Sequence, residues 1–380
     1  LVGSEMCIRD RLLHAPGKTP ESTLRFVTFI VETLMGVYRH NGLLKASIMS
    51  ATNAHRLGAN EAPPAIISSF LGKQLSELLD HIERSDSEDD FIMAGKQGLK
   101  MDIPEIPELM IDNTDRNRTS PFAFTGNKFE FRMLGSTASI ADANIVLNTI
   151  AAEELRQFAD ELEAADDFNE ALHTLIQRTI KEHKRIIFNG NGYDGDWLTE
   201  AARRGLPNLP TTPDCLPHLL SEKSVHLFNT HRVFTETELR SRYDIMMENY
   251  CKVLNIEALT MLEMVQKDIL PAVSAYAHEL SSTITARQTA AATLPCPFEQ
   301  ETLETLSGLQ AALYSAMKTL QSALDAASGC SDLTARGNHY KDHVCSAMQA
   351  VRVEADRLET VVADGYWPYP TYGDLLFSVN

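Results

Sequence analysis

The strongest constraint on the fold is a pair of apolar seams, each with spacings of three and four residues, in the last third of the chain. Their residues are Leu303, Leu306, Leu313, Met317, Leu320 and Leu324 in the first seam and Val344, Met348, Val351, Ala355, Leu358 and Val362 in the second. Each seam marks one face of a helix, and that face needs a partner to cover it. A third helical run precedes them, from Thr235 to about Leu280, with a kink expected at Pro271. The sequence therefore predicts an antiparallel three-helix bundle over residues 255–364.

Composition restricts the partners of the chain. It has 380 residues, 44% of them hydrophobic, and a formal net charge of −18 from 52 acidic and 34 basic residues. This charge argues against nucleic acid or an anionic membrane surface as a partner, because both attract proteins chiefly through phosphate. No uninterrupted apolar run approaches the length of about 18 residues that a membrane-spanning helix needs. The six cysteines form no CxxC pair, which is typical of reduced thiols and predicts a cytoplasmic location.

The opening segment LVGSEMCIRDR lacks the basic region and the long apolar region of a signal peptide. It reads like translated vector or adapter sequence, so we predict that residues 1–11 are a non-native leader. If so, the natural protein continues upstream and this chain is its C-terminal part.

The first half of the chain mixes helix and strand signals. Helical periodicity predicts helices over residues 21–40, 73–83, 142–165 and 168–185. Strand signals occur at 61–71 and at 122–132, where two alternating runs flank a Thr-Gly-Asn turn and predict a hairpin. Residues 189–196 are expected to form a loop, and the proline-rich residues 205–220 a linker. The overall prediction is an α+β fold followed by an all-α region.

Three short motifs carry residues suited to chemistry, and the first is NAHRLGANEAPP at 53–64. Arg56 offers a guanidinium fork for a carboxylate or phosphate, and Glu61 could act as a base or bind a cation. On a Gly/Asn/Pro backbone the two suit a loop beside a polar pocket. A surface ion pair is the alternative.

The second motif lies at residues 111–120, where Arg116, Asn117 and Arg118 precede Thr119 and Ser120. This set of donors suits anionic oxygens such as those of phosphate. A solvated turn, in which an aspartate neutralises an arginine, explains the composition equally well.

The third motif is Lys-Phe-Glu-Phe-Arg at 128–132. Alternate residues of a strand face the same way, so Lys128, Glu130 and Arg132 should share one face while the two phenylalanines pack behind. The charged face could be an ordinary solvent-facing surface. It could also be an active-site strand that presents one carboxylate and two cations.

The order of these motifs resembles glutamine synthetase, most closely its long type III class. N-x-H-R-L-G-x-N-E-A-P-P is followed by N-R-T-S, then N-K-F-E-F-R, then an apolar helix with Asn144 and Asn148. Residues 233–250 also look like the closing helix of the shorter classes. The resemblance implies three parts: the leader 1–11, part of a catalytic domain with an antiparallel sheet and flanking helices at 12–250, and a C-terminal helical-bundle extension at 251–380.

The resemblance also implies an activity and roles for individual residues. The family joins ammonia to glutamate through γ-glutamyl phosphate, using ATP and Mg²⁺ or Mn²⁺. The implied catalytic residues are Glu61, Arg118 and Arg132, and Arg56 would bind glutamate. Lys128 and Arg118 would contact the nucleotide, and Glu130 would be a metal ligand.

The implied partners are glutamate, ammonia and ATP, together with self-association into rings. We expect the truncated chain to be inactive by itself, because one carboxylate cannot hold two or three cations. Two alternatives remain open: a ligase that joins glutamate to another amine, and a non-catalytic scaffold whose bundle mediates assembly.

Overall fold

The computed structural model describes residues 20–59, 62–84, 120–126 and 128–377, with three further strand segments at 4–5, 98–99 and 109–110. Only the backbone is described for those three segments, for residues 20–23 and for residue 372. The chain divides into two compact units, Leu1–Tyr243 and Asp244–Asn380. The predicted domain boundary at residue 250 stays a prediction.

The first unit is mostly helical. Its helices are α1 Pro20–Arg39, α2 Asn41–Ala46, α3 Ala51–Arg56, α4 Lys73–Arg84, α5 Ala141–Glu163, α6 Phe168–His183, α7 Trp197–Arg203, α8 Thr212–Cys215 and α9 Glu222–Thr230. Helices α1, α5 and α6 pack against one another, and Met35, Phe158 and Leu175 form a buried cluster where they meet. The predicted helices at 21–40, 73–83, 142–165 and 168–185 are therefore confirmed to within two residues or so, the last ending in a 3-10 turn at Lys184–Ile186.

A small sheet positions the hairpin in the first unit. Its strands are β1 Ser4–Glu5, β2 Ser69–Phe70, β5 Phe122–Phe124 and β6 Phe129–Phe131, in the order β1-β6-β5-β2. Two more strands, β3 Gly98–Leu99 and β4 Leu109–Met110, pair with each other. The pairing of β5 with β6 is antiparallel and confirms the predicted hairpin.

The structure corrects three features of the predicted first half. The sheet is mixed instead of antiparallel, because β2 pairs parallel to β5. Among residues 62–71, the described part of the predicted strand at 61–71, only Ser69–Phe70 is a strand, and Pro63 and Pro64 have no amide to donate to a ladder.

The third correction concerns residues 205–220, which are not a linker. They contain α8 and a 3-10 helix at Leu216–Leu220, and both Cys215 and Leu216 are fully buried. Proline begins a helix here because the first turn needs no amide donor at that position.

The second unit is a helical bundle. Helix α10 Glu236–Met264 enters it and continues through a π-helical turn at Val265–Ile269 into α11 Leu270–Ala290. Helix α12 Pro297–Ser328 follows, then α13 Leu333–His339, a second π-helical turn at Tyr340–Val344, α14 Cys345–Glu359 and α15 Tyr372–Leu376.

The two predicted seams meet in this unit, where α12 packs against α11 and α14. Leu306, Leu313 and Leu320 of the first seam and Val351 and Leu358 of the second are at most 1% exposed. The predicted bundle is therefore confirmed. Within the part of the chain that the structure describes, no helix is both long enough and apolar enough to cross a bilayer.

Candidate functional site

The hairpin of β5 and β6 holds the third motif. Phe129 and Phe131 are at most 1% exposed, and Phe129 stacks on Phe122 of β5 with ring centroids 4.9 Å apart. Lys128 and Glu130 alternate with these rings and are half-buried on the other side of the strand. The buried aromatic face therefore fixes which way the charged face points, as the alternation predicted.

Among the described side chains of the charged face, one carboxylate lies between two cations. Arg132 donates from Nε and Nη2 to the same oxygen of Glu130, Oε2, at 3.1 and 3.0 Å. The Lys128 ammonium lies 3.7 Å from the other oxygen, Oε1. The side chains of Arg132, Lys128 and Glu130 are 14, 22 and 28% exposed, so they are partly shielded from water and still reachable by a ligand. The three groups leave one positive charge, which suits an anionic ligand.

Arg56 of the first motif lies in the last turn of α3, not in an irregular loop as the sequence suggested. Its Nε donates to Asn53 Oδ1 at 3.0 Å. Its Nη2 donates to the carbonyl oxygens of Met133 and Leu134 at 2.8 and 3.2 Å. The edge of the guanidinium that would form a carboxylate fork is therefore bound to the protein. These hydrogen bonds leave out Nη1, which is therefore the part of the guanidinium that could meet a ligand.

Asn53 completes the contact between α3 and the hairpin. It is 2% exposed, and its Nδ2 donates to the carbonyl oxygens of Ile48 and Met133 at 2.8 and 3.0 Å. Ser50 caps α3 by accepting from the Asn53 amide at 3.2 Å, which fixes where the helix begins. We call Asn53 and Arg56 the α3 latch. Because Met133 directly follows Arg132, the latch brings the first motif to the end of the third.

Two of the candidate residues, Glu61 and Arg118, lie outside the described residues. The structure thus brings Arg56 together with the strand of Lys128, Glu130 and Arg132. It tests no role for Glu61 or Arg118.

Lys45 is a neighbour of this region that the sequence did not single out. It lies in α2, is 1% exposed, and its Nζ has no hydrogen-bond partner among the described residues. Burial lowers the pKa of Lys45 to about 7, with the Cys215 thiol opposing this shift and the Arg56 charge adding to it. A lysine between leucines and an alanine in a short helix gives no sequence signal of such burial.

A nucleotide and a metal ion need different ligands from the charged residues of the hairpin. Two cations on one strand fit the phosphates of ATP. For a divalent cation the fit is incomplete: among the described residues no three His, Cys, Asp or Glu side chains gather as ligands. Glu130, already bonded to Arg132, could supply one ligand, and a Mg²⁺ or Mn²⁺ site would need others.

Comparison with known proteins matches residues 171–288 to the family described as the glutamine synthetase C-terminal domain. Three curated relatives match 96% of this chain. They are a glutamine synthetase of Butyrivibrio fibrisolvens, 38% identical over 368 residues, one of Bacteroides fragilis, 38% identical over 381, and a type-3 glutamine synthetase of Dictyostelium discoideum, 37% identical over 378.

The aligned segments cover 52, 51 and 50% of those three proteins, so the chain spans about half the length of the curated relatives it matches. The matched family domain leaves out the hairpin and the latch, but the alignments to whole proteins include nearly all of the chain. These matches confirm the resemblance found in the sequence: the chain is a relative of the glutamine synthetases, a type III enzyme among them, and carries their C-terminal domain.

Proposed function

We propose that the chain is part of a glutamate–ammonia ligase that forms glutamine through γ-glutamyl phosphate with ATP. The observation that carries this proposal is the similarity to three glutamine synthetases over 96% of the chain. The charged face of the hairpin supports it, because phosphoryl transfer is catalysed mainly by positioning and by offsetting charge.

In this proposal the hairpin residues act on the transferring phosphate. Arg132 and Lys128 would bind phosphate oxygens and offset the charge that builds up on the phosphate as ammonia attacks the acyl carbon and the phosphate leaves. Glu130 holds Arg132 in place through two hydrogen bonds and could also contribute one ligand to Mg²⁺ or Mn²⁺. Arg118 would contact the same phosphate, and Glu61 would help to deprotonate ammonium.

Arg56 would bind the glutamate carboxylate through Nη1 while its other donors keep the side chain fixed. Three N–H groups bound to Asn53, Met133 and Leu134 remove most of its rotamer freedom before substrate arrives. A guanidinium that is already ordered loses less entropy on binding than a free one.

We also propose that the protein self-associates and resides in the cytoplasm. Ile256 and Leu259 of α10 are 63 and 49% exposed, and Leu375, Leu376 and Phe377 are exposed by 63 to 82%. Apolar side chains of this size at the surface favour a protein partner, and a further copy of the chain is the one we propose. The described cysteines are all free thiols, as expected in a reducing compartment.

The same apolar residues favour a second candidate, a non-catalytic assembly protein. The experiment that separates the two starts from the coding sequence extended upstream in the source transcript. The purified product is assayed for ATP- and Mg²⁺-dependent glutamine formation, with methylamine offered beside ammonia. Glutamine formation that needs ATP supports the ligase, and preference for methylamine supports a ligase for another amine. A product that forms rings and makes neither amide supports the assembly protein.

Self-association has its own test in the bundle. Replacing Ile256 and Leu259 by glutamate should lower the molar mass of the particle measured by mass photometry, because charges cannot be buried unpaired in an apolar contact. The matched control adds the same charge at the exposed residues Gln266 and Gln300. An unchanged mass in the first variant would contradict a contact through α10.

A further inference from the structure

A basic cleft lies in the first unit, and none of the described residues that line it belongs to the hairpin. Its volume is about 660 Å³, and it is formed by α4, by the segment from the end of α6 to Asn189, and by the end of α7. One carboxylate, that of Asp80, is among its lining residues. The cationic residues that line it are Lys181, Lys184, Arg185, Arg203 and Arg204.

Three of the five cations are held in position by carboxylates. Lys184 forms ion pairs with Glu83 and, at 3.6 Å, with Asp80. Glu200 accepts from Arg203 at 2.7 and 2.8 Å and from Arg204 at 2.5 Å. These cations are thus ordered before any ligand arrives, which reduces the entropy that binding must overcome.

The other two cations, Lys181 and Arg185, have no carboxylate partner in the part of the chain that the structure describes. The Arg185 guanidinium lies 5.8 Å from the ring centroid of Tyr38. Among the described residues, five cations of the cleft face three carboxylates, an excess of two positive charges. In a chain with a net charge of −18, a local excess of this sign calls for an explanation.

The walls of the cleft are rigid. Phe188 stacks on Trp197 with ring centroids 3.8 Å apart, and Arg204 lies 5.5 Å from the centroid of Phe188. Asn189 accepts from the amides of Leu71 and Gly72 at 3.1 and 3.0 Å, which fixes the start of α4. Stacked rings and side chains bonded to backbone keep the donors at set positions.

We propose that this cleft binds a small anion that carries more than one phosphate group. Ammonium and guanidinium donors with an excess of two charges match the charge of such a ligand, and arginine forks match its oxygen geometry. The volume lies within the range of small-molecule sites, which is about 300–1,000 Å³. The described residues that line the cleft include none of those proposed for the ligase reaction.

Pyrophosphate is the probe for the test, by isothermal titration calorimetry on the full chain at physiological ionic strength. We expect saturable binding in which this cleft is the tightest site. Replacing both Lys181 and Arg185 by glutamate should raise the Kd at least about tenfold, since each lost charge-assisted hydrogen bond contributes about that factor. Neither residue orders the cleft, so the variant should fold, which circular dichroism checks.

Two controls make the result specific. Replacing the exposed cations Arg240 and Lys318 by glutamate changes the net charge equally and should leave the Kd within about twofold. The Arg132→Ala variant should also bind as tightly as the parent, which excludes the hairpin as the site. Absence of saturable binding, equal losses in both double variants, loss in Arg132→Ala, or equally tight binding of citrate would each overturn the proposal.

Discussion

Arg132 donates two hydrogen bonds, 3.0 and 3.1 Å long, to a single carboxylate oxygen of Glu130, two residues earlier in the chain. The other oxygen of Glu130 faces Lys128 at 3.7 Å. The carboxylate therefore accepts two hydrogen bonds from Arg132 at one oxygen and lies within ion-pair distance of Lys128 at the other. This unequal sharing is the basis for the roles that we propose on the hairpin.

The α3 latch should be important for stability. Replacing Asn53 by alanine removes two hydrogen bonds to the buried carbonyls of Ile48 and Met133 and leaves Arg56 Nε without its partner. We expect a loss of about 1–3 kcal/mol in the free energy of unfolding, measured with urea. The neighbouring exposed Thr52→Ala variant is the control and should change it by less than about 0.5 kcal/mol. Equal losses of unfolding free energy in the two variants would show that the latch stabilises the protein no more than an exposed side chain does.

Lys45 should make stability increase with pH in the alkaline range. Burial lowers its pKa to about 7 in the folded protein, whereas the unfolded chain keeps the ordinary value of 10.5. Between these values the unfolded state binds more protons, so the free energy of unfolding rises with pH. Lys45→Met removes this dependence and should stabilise the protein by a few kcal/mol at about pH 6, and by less at about pH 9.

The control for Lys45 is Lys252→Met, at a position where the side chain is 65% exposed. Urea unfolding of both variants at the two pH values gives the comparison. A gain for Lys45→Met that is the same at both pH values would show that the lysine stays charged in the folded protein at both, and that burial does not lower its pKa.

Glu32 should have the opposite effect at lower pH. Burial raises its pKa to about 8, the hydrogen bond from Thr33 lowers it, and the neighbouring Glu154 carboxylate raises it again. The folded protein therefore keeps a proton on Glu32 that the unfolded chain loses near its ordinary value of 4.5. The stability that this group contributes is complete below about pH 4.5 and falls as the pH rises toward 8.

Glu32→Gln imitates the protonated side chain and should not lose stability over this range. Its advantage over the parent in urea unfolding should therefore grow from about pH 5 to about pH 8. The exposed Glu163→Gln variant controls for the change in net charge. A parallel pH profile for Glu32→Gln and the parent would show that Glu32 is ionised in the folded protein.

The sequence predicted those elements whose pattern is local. The hairpin follows from alternating phenylalanines around a Gly-containing turn, and the bundle follows from leucines at helical spacing. Both patterns specify which face is buried without any knowledge of distant residues. For the same reason, the sequence could predict that Lys128, Glu130 and Arg132 share one face of the strand.

Features that depend on tertiary packing could not be predicted in this way. Residues 205–220 resemble a linker because of their prolines, yet Cys215 is buried against α2 and its thiol pKa is raised to about 12 by burial. The latch joins Arg56 to carbonyls 77 and 78 residues away, and no spacing rule indicates such a contact. The basic cleft likewise combines residues of α4 with residues about a hundred positions later.

The role of Glu130 is the most direct test of the proposed reaction. In the upstream-extended protein, we predict that Glu130→Gln lowers kcat for glutamine formation by about a hundredfold or more, because the hydrogen bonds from Arg132 lose their charged acceptor and a candidate metal ligand becomes neutral. The control is Glu161→Gln, which breaks the exposed ion pair with Arg178 and should retain activity. Parental kcat and parental Mg²⁺ dependence in Glu130→Gln would contradict the account.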